Sequence, residues 1–133
     1  MFRNTLAFDD VLLVPKRSDI TSRKEIDTSS TMGGVTLDLP VLSSPMDTVT
    51  ETKMSVSMDS IGGLGVVHRY NTIKEQCALV SDAVQSGATN IGAAVGVTDD
   101  FTERAIALHS NGAKVICIDV AHGHHSNVES AIK

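Results

Sequence analysis

The sequence predicts an α/β fold: the first four βα units of a (β/α)8 barrel (a TIM barrel) behind an N-terminal hairpin. Three observations predict it. Apolar, β-branched runs alternate with segments of helical periodicity. Units two to four recur roughly every 25 residues, the spacing of strand–helix repeats in such barrels. The third strand, Asn90-Ile91-Gly92-Ala93-Ala94-Val95-Gly96, is built of small residues that let a ligand approach closely. A whole barrel takes about 250 residues, and the chain has 133. The expectation is therefore a half-barrel, 1–39 being an extension with a hairpin and 40–133 the βα units. An open doubly wound sheet is the competing arrangement.

The elements follow in order. Phe8 to Pro15 is an apolar segment ended by proline, and Lys16 to Lys24 reads as a solvated basic loop. Ile26–Thr31 and Val35–Leu39 alternate around Met32-Gly33-Gly34, a hairpin signal in which glycine supplies positive φ. The hairpin is expected to cover one end of the main sheet. Pro40–Ser44 is a short strand, and Glu51–Ile61 a helix capped by Thr48 or Thr50 and stopped by Gly62-Gly63. Leu64–His68 is the second strand. Thr72 with Glu75 forms a capping box for a helix whose apolar positions are Ile73, Cys77, Val80 and Val84. After the third strand, Thr98-Asp99-Asp100 caps a helix with Phe101, Ala105 and Leu108 inward. Lys114–Val120 reads as a strand buried on both faces, and Ser126 begins the last helix.

Composition narrows the function. The chain is 41% hydrophobic but 3% aromatic, which suits an aliphatic α/β core better than a base-stacking platform. A net charge of -5 argues against a general nucleic-acid binder. No apolar run reaches the length of a membrane span, and no apolar leader follows Met1, so a cytoplasmic protein is expected. Cys77 and Cys117 lie in apolar patterns without metal spacing and read as reduced core thiols.

Strand ends carry the candidate chemistry. Asp119 interrupts its strand near the C-terminal end, where α/β folds place their sites. A bare buried carboxylate is costly, so it either faces a site or caps the next helix. Ser43 to Glu51 is a Ser/Thr-rich turn that either holds a polar ligand or merely caps its helix. Arg69 at the second strand end suits a phosphate or carboxylate, while His68 reads as a hydrogen-bonded structural histidine. His122, His124 and His125 lack any fixed ligand spacing, and no metal site is expected. Gly62-Gly63-Leu64-Gly65 precedes a strand, so it is not a dinucleotide fingerprint.

These stretches together resemble the IMP dehydrogenase / GMP reductase family. Thr5–Pro15 is similar to its N-terminal signature and Ser43–Glu51 to its first barrel turn. Gly62–Asn71, Gly92–Thr98 and Ile118–Gly123 are similar to the next three strand ends, in order. The resemblance implies a (β/α)8 barrel, homotetramers, and a purine nucleotide (IMP or GMP) at the strand C-termini with NAD, or NADP in a reductase, beside it. By the resemblance Ser44 and Met46 contact the nucleotide, with Arg69 assigned to the substrate side. Asp119 contacts the cofactor, with Val120 and Ala121 flanking it. The turns at Ser44 and Gly92–Gly96 look like those of dehydrogenases, and Arg69 stands where reductases carry Lys. Cys117-Ile118-Asp119-Val120-Ala121 looks like a reductase, and the tight connection Gln85–Asn90 leaves no room for the regulatory CBS module of most dehydrogenases. The reading is an IMP dehydrogenase type without that module. The alternatives are a GMP reductase or a non-catalytic half-barrel that binds or assembles. The family's nucleophilic cysteine and K+ site fall outside these residues, so the chain alone is expected to lack turnover and no catalytic residue is assigned. An open sheet edge and bare inner strand faces would favour poor solubility or dimerisation.

Overall fold

Four parallel strands in sequence order form the main sheet of the computed structural model, which describes residues 4–133. The first three residues of the expected extension lie outside the described residues. A two-stranded hairpin comes first, β1 (Ser30–Met32) against β2 (Val35–Leu37), with Ser30 opposite Leu37. Gly33 and Gly34 turn it at φ 55° and 82°, where a Cβ is disfavoured. The hairpin is shorter than the alternation suggested. Asp27 accepts the Ser29 N–H at 2.8 Å, and this side-chain turn bends the chain out of strand geometry before β1.

The sheet then runs β3 (Leu42–Ser43), β4 (Leu64–Val67), β5 (Ile91–Val95), β6 (Val115–Ile118), each parallel to the next. Between and after them lie α1 (Thr52–Ser60), α2 (Ile73–Gln85), α3 (Phe101–Ser110) and α4 (Ser126–Ile132). One face of the sheet packs on the helices. Val67, Ile91, Ala93 and Val95 meet Cys77, Val80, Ala83 and Leu108 there, with Val56 of α1 against them. Gly65 lets α1 come close, since a Cβ there would lie 2.5 Å from Ser55 Cα. On the other face Leu64, Val66 and Ala94 pack beneath Leu37 of the hairpin. A doubly wound sheet reverses strand order and carries helices on both faces. Neither occurs here: the order is sequential and α1, α2 and α3 share one face.

Several local expectations change. The α1 cap position is Glu51, without a side-chain bond, because the Thr50 hydroxyl points back to the preceding strand. Asp100 occupies the α3 cap position but spends its carboxylate on Arg104. The Thr72–Glu75 capping box is present in both directions. Val84 is exposed, and the buried stripe of α2 runs through Gln76, Cys77, Val80 and Ala83. β6 is only half-buried, since, like β3, it is an edge strand of the four. The inner faces of β4 and β5 are not bare: Leu37 is 1% exposed and seals them.

Candidate active site

Parallel strands bring every βα turn to one edge of the sheet, which is why the candidate residues share a mouth. β4 delivers Arg69 and β6 delivers Asp119 to that edge. The Asp119 N–H donates to the Val95 carbonyl at 2.9 Å, continuing the ladder one rung past β6. Across β5, Arg69 Nε donates to Asp119 Oδ2 at 3.2 Å. The two side chains are about one-third exposed, 34% and 28%. Such a pair is worth only about 0.2–1 kcal/mol, so its importance lies in orientation more than stability. The guanidinium also lies over the Tyr70 ring, 5.4 Å from its centroid. Asp119 Oδ1 has no hydrogen-bond donor among the described residues, so one carboxylate oxygen is left to accept from a ligand. Asp119 is thus not a helix cap: His125 takes that place on α4, its Nδ1 accepting the Asn127 N–H.

Ser44 and Met46 lie on the turn after β3 and are exposed, Met46 to 50%. The turn is braced. Thr50, fully buried, donates its hydroxyl toward the Ser44 carbonyl at 2.6 Å and lies 2.8 Å from Ser43 Oγ, while its N–H donates to the Met46 carbonyl. Val120 is half-buried and Ala121 exposed, on the turn beyond Asp119. The structure therefore pairs Arg69 with Asp119 and puts Ser44 and Met46 on the same edge, with no hydrogen bond to that pair among the described residues.

His68 does not face the mouth with Arg69. It is 4% exposed and turns to the helix side. Its Nδ1 accepts the Tyr70 N–H at 3.2 Å, which assigns the ring proton to Nε2, 3.4 Å from Glu51 Oε1. Both ring nitrogens are engaged, as a structural histidine requires. Cys117 sits on the hairpin side of β6. Burial and then the Asp119 carboxylate push its thiol up from the usual range, so it stays protonated at neutral pH. Burial likewise raises Cys77, and the Arg104 guanidinium opposes that shift.

Sequence reasoning took Thr50 for a helix cap and passed over Gln76 and Arg104. Thr50 has the residue type of a cap. Gln76 falls on the i, i+3, i+4 stripe of α2, and a polar residue on that stripe was the available signal. Arg104 stands four residues after Asp100, the spacing of a helical ion pair.

A model of the IMP dehydrogenase / GMP reductase domain matches residues 5–133. The chain belongs to this family. An inosine-5'-monophosphate dehydrogenase of Nitrosopumilus maritimus (strain SCM1) is 44% identical over 100 residues, 74% of this chain and 21% of that protein. A GMP reductase of Leishmania donovani is 47% identical over 76 residues, 56% of this chain and 15% of its own length. An inosine-5'-monophosphate dehydrogenase of Methanocaldococcus jannaschii is 32% identical over 128 residues, 87% of this chain and 26% of its own. The matches thus span about a quarter or less of these curated relatives. The family's members are oxidoreductases, and among the described residues of this chain no helix is long and apolar enough to cross a membrane.

Proposed function

We propose that residues 40–133 supply the first half of a (β/α)8 catalytic barrel, with 1–39 as its N-terminal extension, in a cytoplasmic purine nucleotide oxidoreductase of IMP dehydrogenase type. The reaction is IMP, NAD and water to XMP and NADH, in a homotetramer. The observation that carries this reading is the Arg69–Asp119 pair, held at the strand C-termini with one Asp119 oxygen unspent. A carboxylate so placed suits the hydroxyls of a cofactor ribose. Bound there, NAD would supply the hydride acceptor. Asp119 would orient the ribose, Arg69 would hold the carboxylate still and present its outer nitrogens to the nucleotide, and Val120 and Ala121 would flank the cofactor. The Ser44 hydroxyl and the Met46 side chain would meet the nucleotide on the braced turn. K+ belongs to the family's chemistry, and no residue of this chain is assigned to it.

A GMP reductase, using GMP and NADPH, is the second reading. It is favoured by the Leishmania donovani relative, whose matched segment is the more nearly identical, 47% against 44%. Calorimetric titration of the chain with IMP, GMP, NAD and NADPH separates them. The dehydrogenase reading expects IMP binding, strengthened by NAD and reduced in Arg69→Ala and Asp119→Ala. Preference for GMP with NADPH would favour the reductase. Binding of none, or binding indifferent to both substitutions, would contradict the site.

A further inference from the structure

Gln76 on α2 is fully buried, and Arg104 on α3 is 8% exposed. Both lie on the helix side of the sheet, outside the mouth. Gln76 Nε2 donates to the Ala94 carbonyl at 2.8 Å and reaches the Val67 carbonyl at 3.4 Å. Its Oε1 accepts from Arg104 Nη1 at 2.8 Å. The same Nη1 donates to the Asn71 carbonyl at 3.1 Å, while Nε and Nη2 close on the Asp100 carboxylate at 3.3 and 2.8 Å. A buried amide and guanidinium bonded this fully hold one arrangement, because moving either leaves polar groups stranded.

The acceptors sit where the mouth is set. Val67 and Asn71 bracket Arg69 on its two sides in the chain. Ala94 precedes Val95, the residue whose carbonyl takes the Asp119 N–H. One network therefore anchors both ends of the Arg69 turn and the β5 segment from which Asp119 hangs. It touches neither side chain.

We propose that Gln76 and Arg104 are positioning residues that set the Arg69–Asp119 pair across the mouth. The functional weight of this rests on the nucleotide-site reading above; the geometry stands without a ligand. Their role is to keep the β4 and β5 ends at one spacing, so that Arg69 Nε meets Asp119 Oδ2 before any nucleotide arrives. Preformed geometry of that kind spares the ligand the work of ordering the site.

The test reads the pair directly. In the chain labelled with 15N at arginine, NMR follows the Arg69 Nε–H signal, and Asp119→Ala, which removes the acceptor, marks where it lies when unpaired. Gln76→Met removes the amide and is expected to move the Arg69 signal toward that unpaired position. Asp100→Asn changes an exposed side chain, leaves the fold intact and is expected to give a smaller shift the same way. Met58→Ala, a core truncation at the far end of α1 against Gly63, is expected to leave the signal where wild type has it. An unmoved signal in both Gln76→Met and Asp100→Asn would overturn the proposal, as would an equal shift in Met58→Ala. If Gln76→Met does not fold, Asp100→Asn against Met58→Ala decides. Failure of the nucleotide reading looks different: wild type would bind no nucleotide while its Arg69 signal still followed Gln76 and Asp100.

Discussion

Residues 4–29 and residues 40–133 carry similar apolar side chains to opposite ends. Phe8, Leu12 and Leu13 are each 96% exposed, whereas Leu64, Ile91 and Leu108 are 0% exposed. The first segment is held by bonds between near neighbours, such as the Ala7 N–H to Asp10 at 2.8 Å and Thr21 to Glu25 at 2.7 Å. The second is held by strand ladders and by a core shared among three helices. Hydrophobicity alone does not bury a residue. Period does, when it lines apolar groups on a face that another element can cover.

That contrast can be broken or sharpened by substitution. The largest effect is expected in the body. Leu108→Ala should lower stability by roughly 2–5 kcal/mol, through lost burial and the cavity left behind. Urea unfolding measures it, and a loss within ~0.5 kcal/mol would mean that Leu108 does not sit in the core. A middle effect is expected at the mouth. Thr50→Val should cost about 0.5–1.5 kcal/mol by removing the hydroxyl that joins the Ser44 carbonyl to Ser43, the Met46 N–H staying on that carbonyl. Hydrogen exchange should then quicken at Met46 and Val49, and Thr50→Ser should restore most of the protection. The smallest is expected in the arm. Leu12→Ser with Leu13→Ser should change stability by no more than ~0.5 kcal/mol, while reducing self-association in sedimentation. A loss as large as that of Leu108→Ala would show that the arm packs on the body.

Thiol chemistry sharpens the comparison within the body itself. Cys117 is raised first by burial and then by the Asp119 charge, so its thiolate is scarce below the usual thiol range and grows only as pH rises through the raised value. Alkylation at neutral pH should be slower than for a free thiol, and Asp119→Asn should speed it while Arg69→Ala should not. Mass spectrometry after timed quenching follows the modification.

What the sequence could reveal follows the same physics. The βα alternation, the Thr72–Glu75 box and the glycine turn at Gly33-Gly34 were legible because each depends on neighbours within a few residues. Asp119 stood out as a lone acid in an apolar strand. Its partner Arg69 is 50 positions away and could be paired only in three dimensions. Thr50 misled because its residue type suits a cap, while its hydroxyl found a carbonyl in the preceding strand. The half-burial of β6 was hidden for a related reason, since a strand's position in the sheet is set by how many neighbours it gains.

The most direct test of the central claim, that the strand ends gather into a purine nucleotide and cofactor site, is NMR shift mapping of the 15N-labelled chain titrated with IMP and then NAD. Shifts confined to Ser44, Met46 and Arg69 with IMP, and spreading to Asp119, Val120 and Ala121 with NAD, are the expected result. Shifts scattered over the arm and outer helix faces, or none at saturating nucleotide, would contradict it.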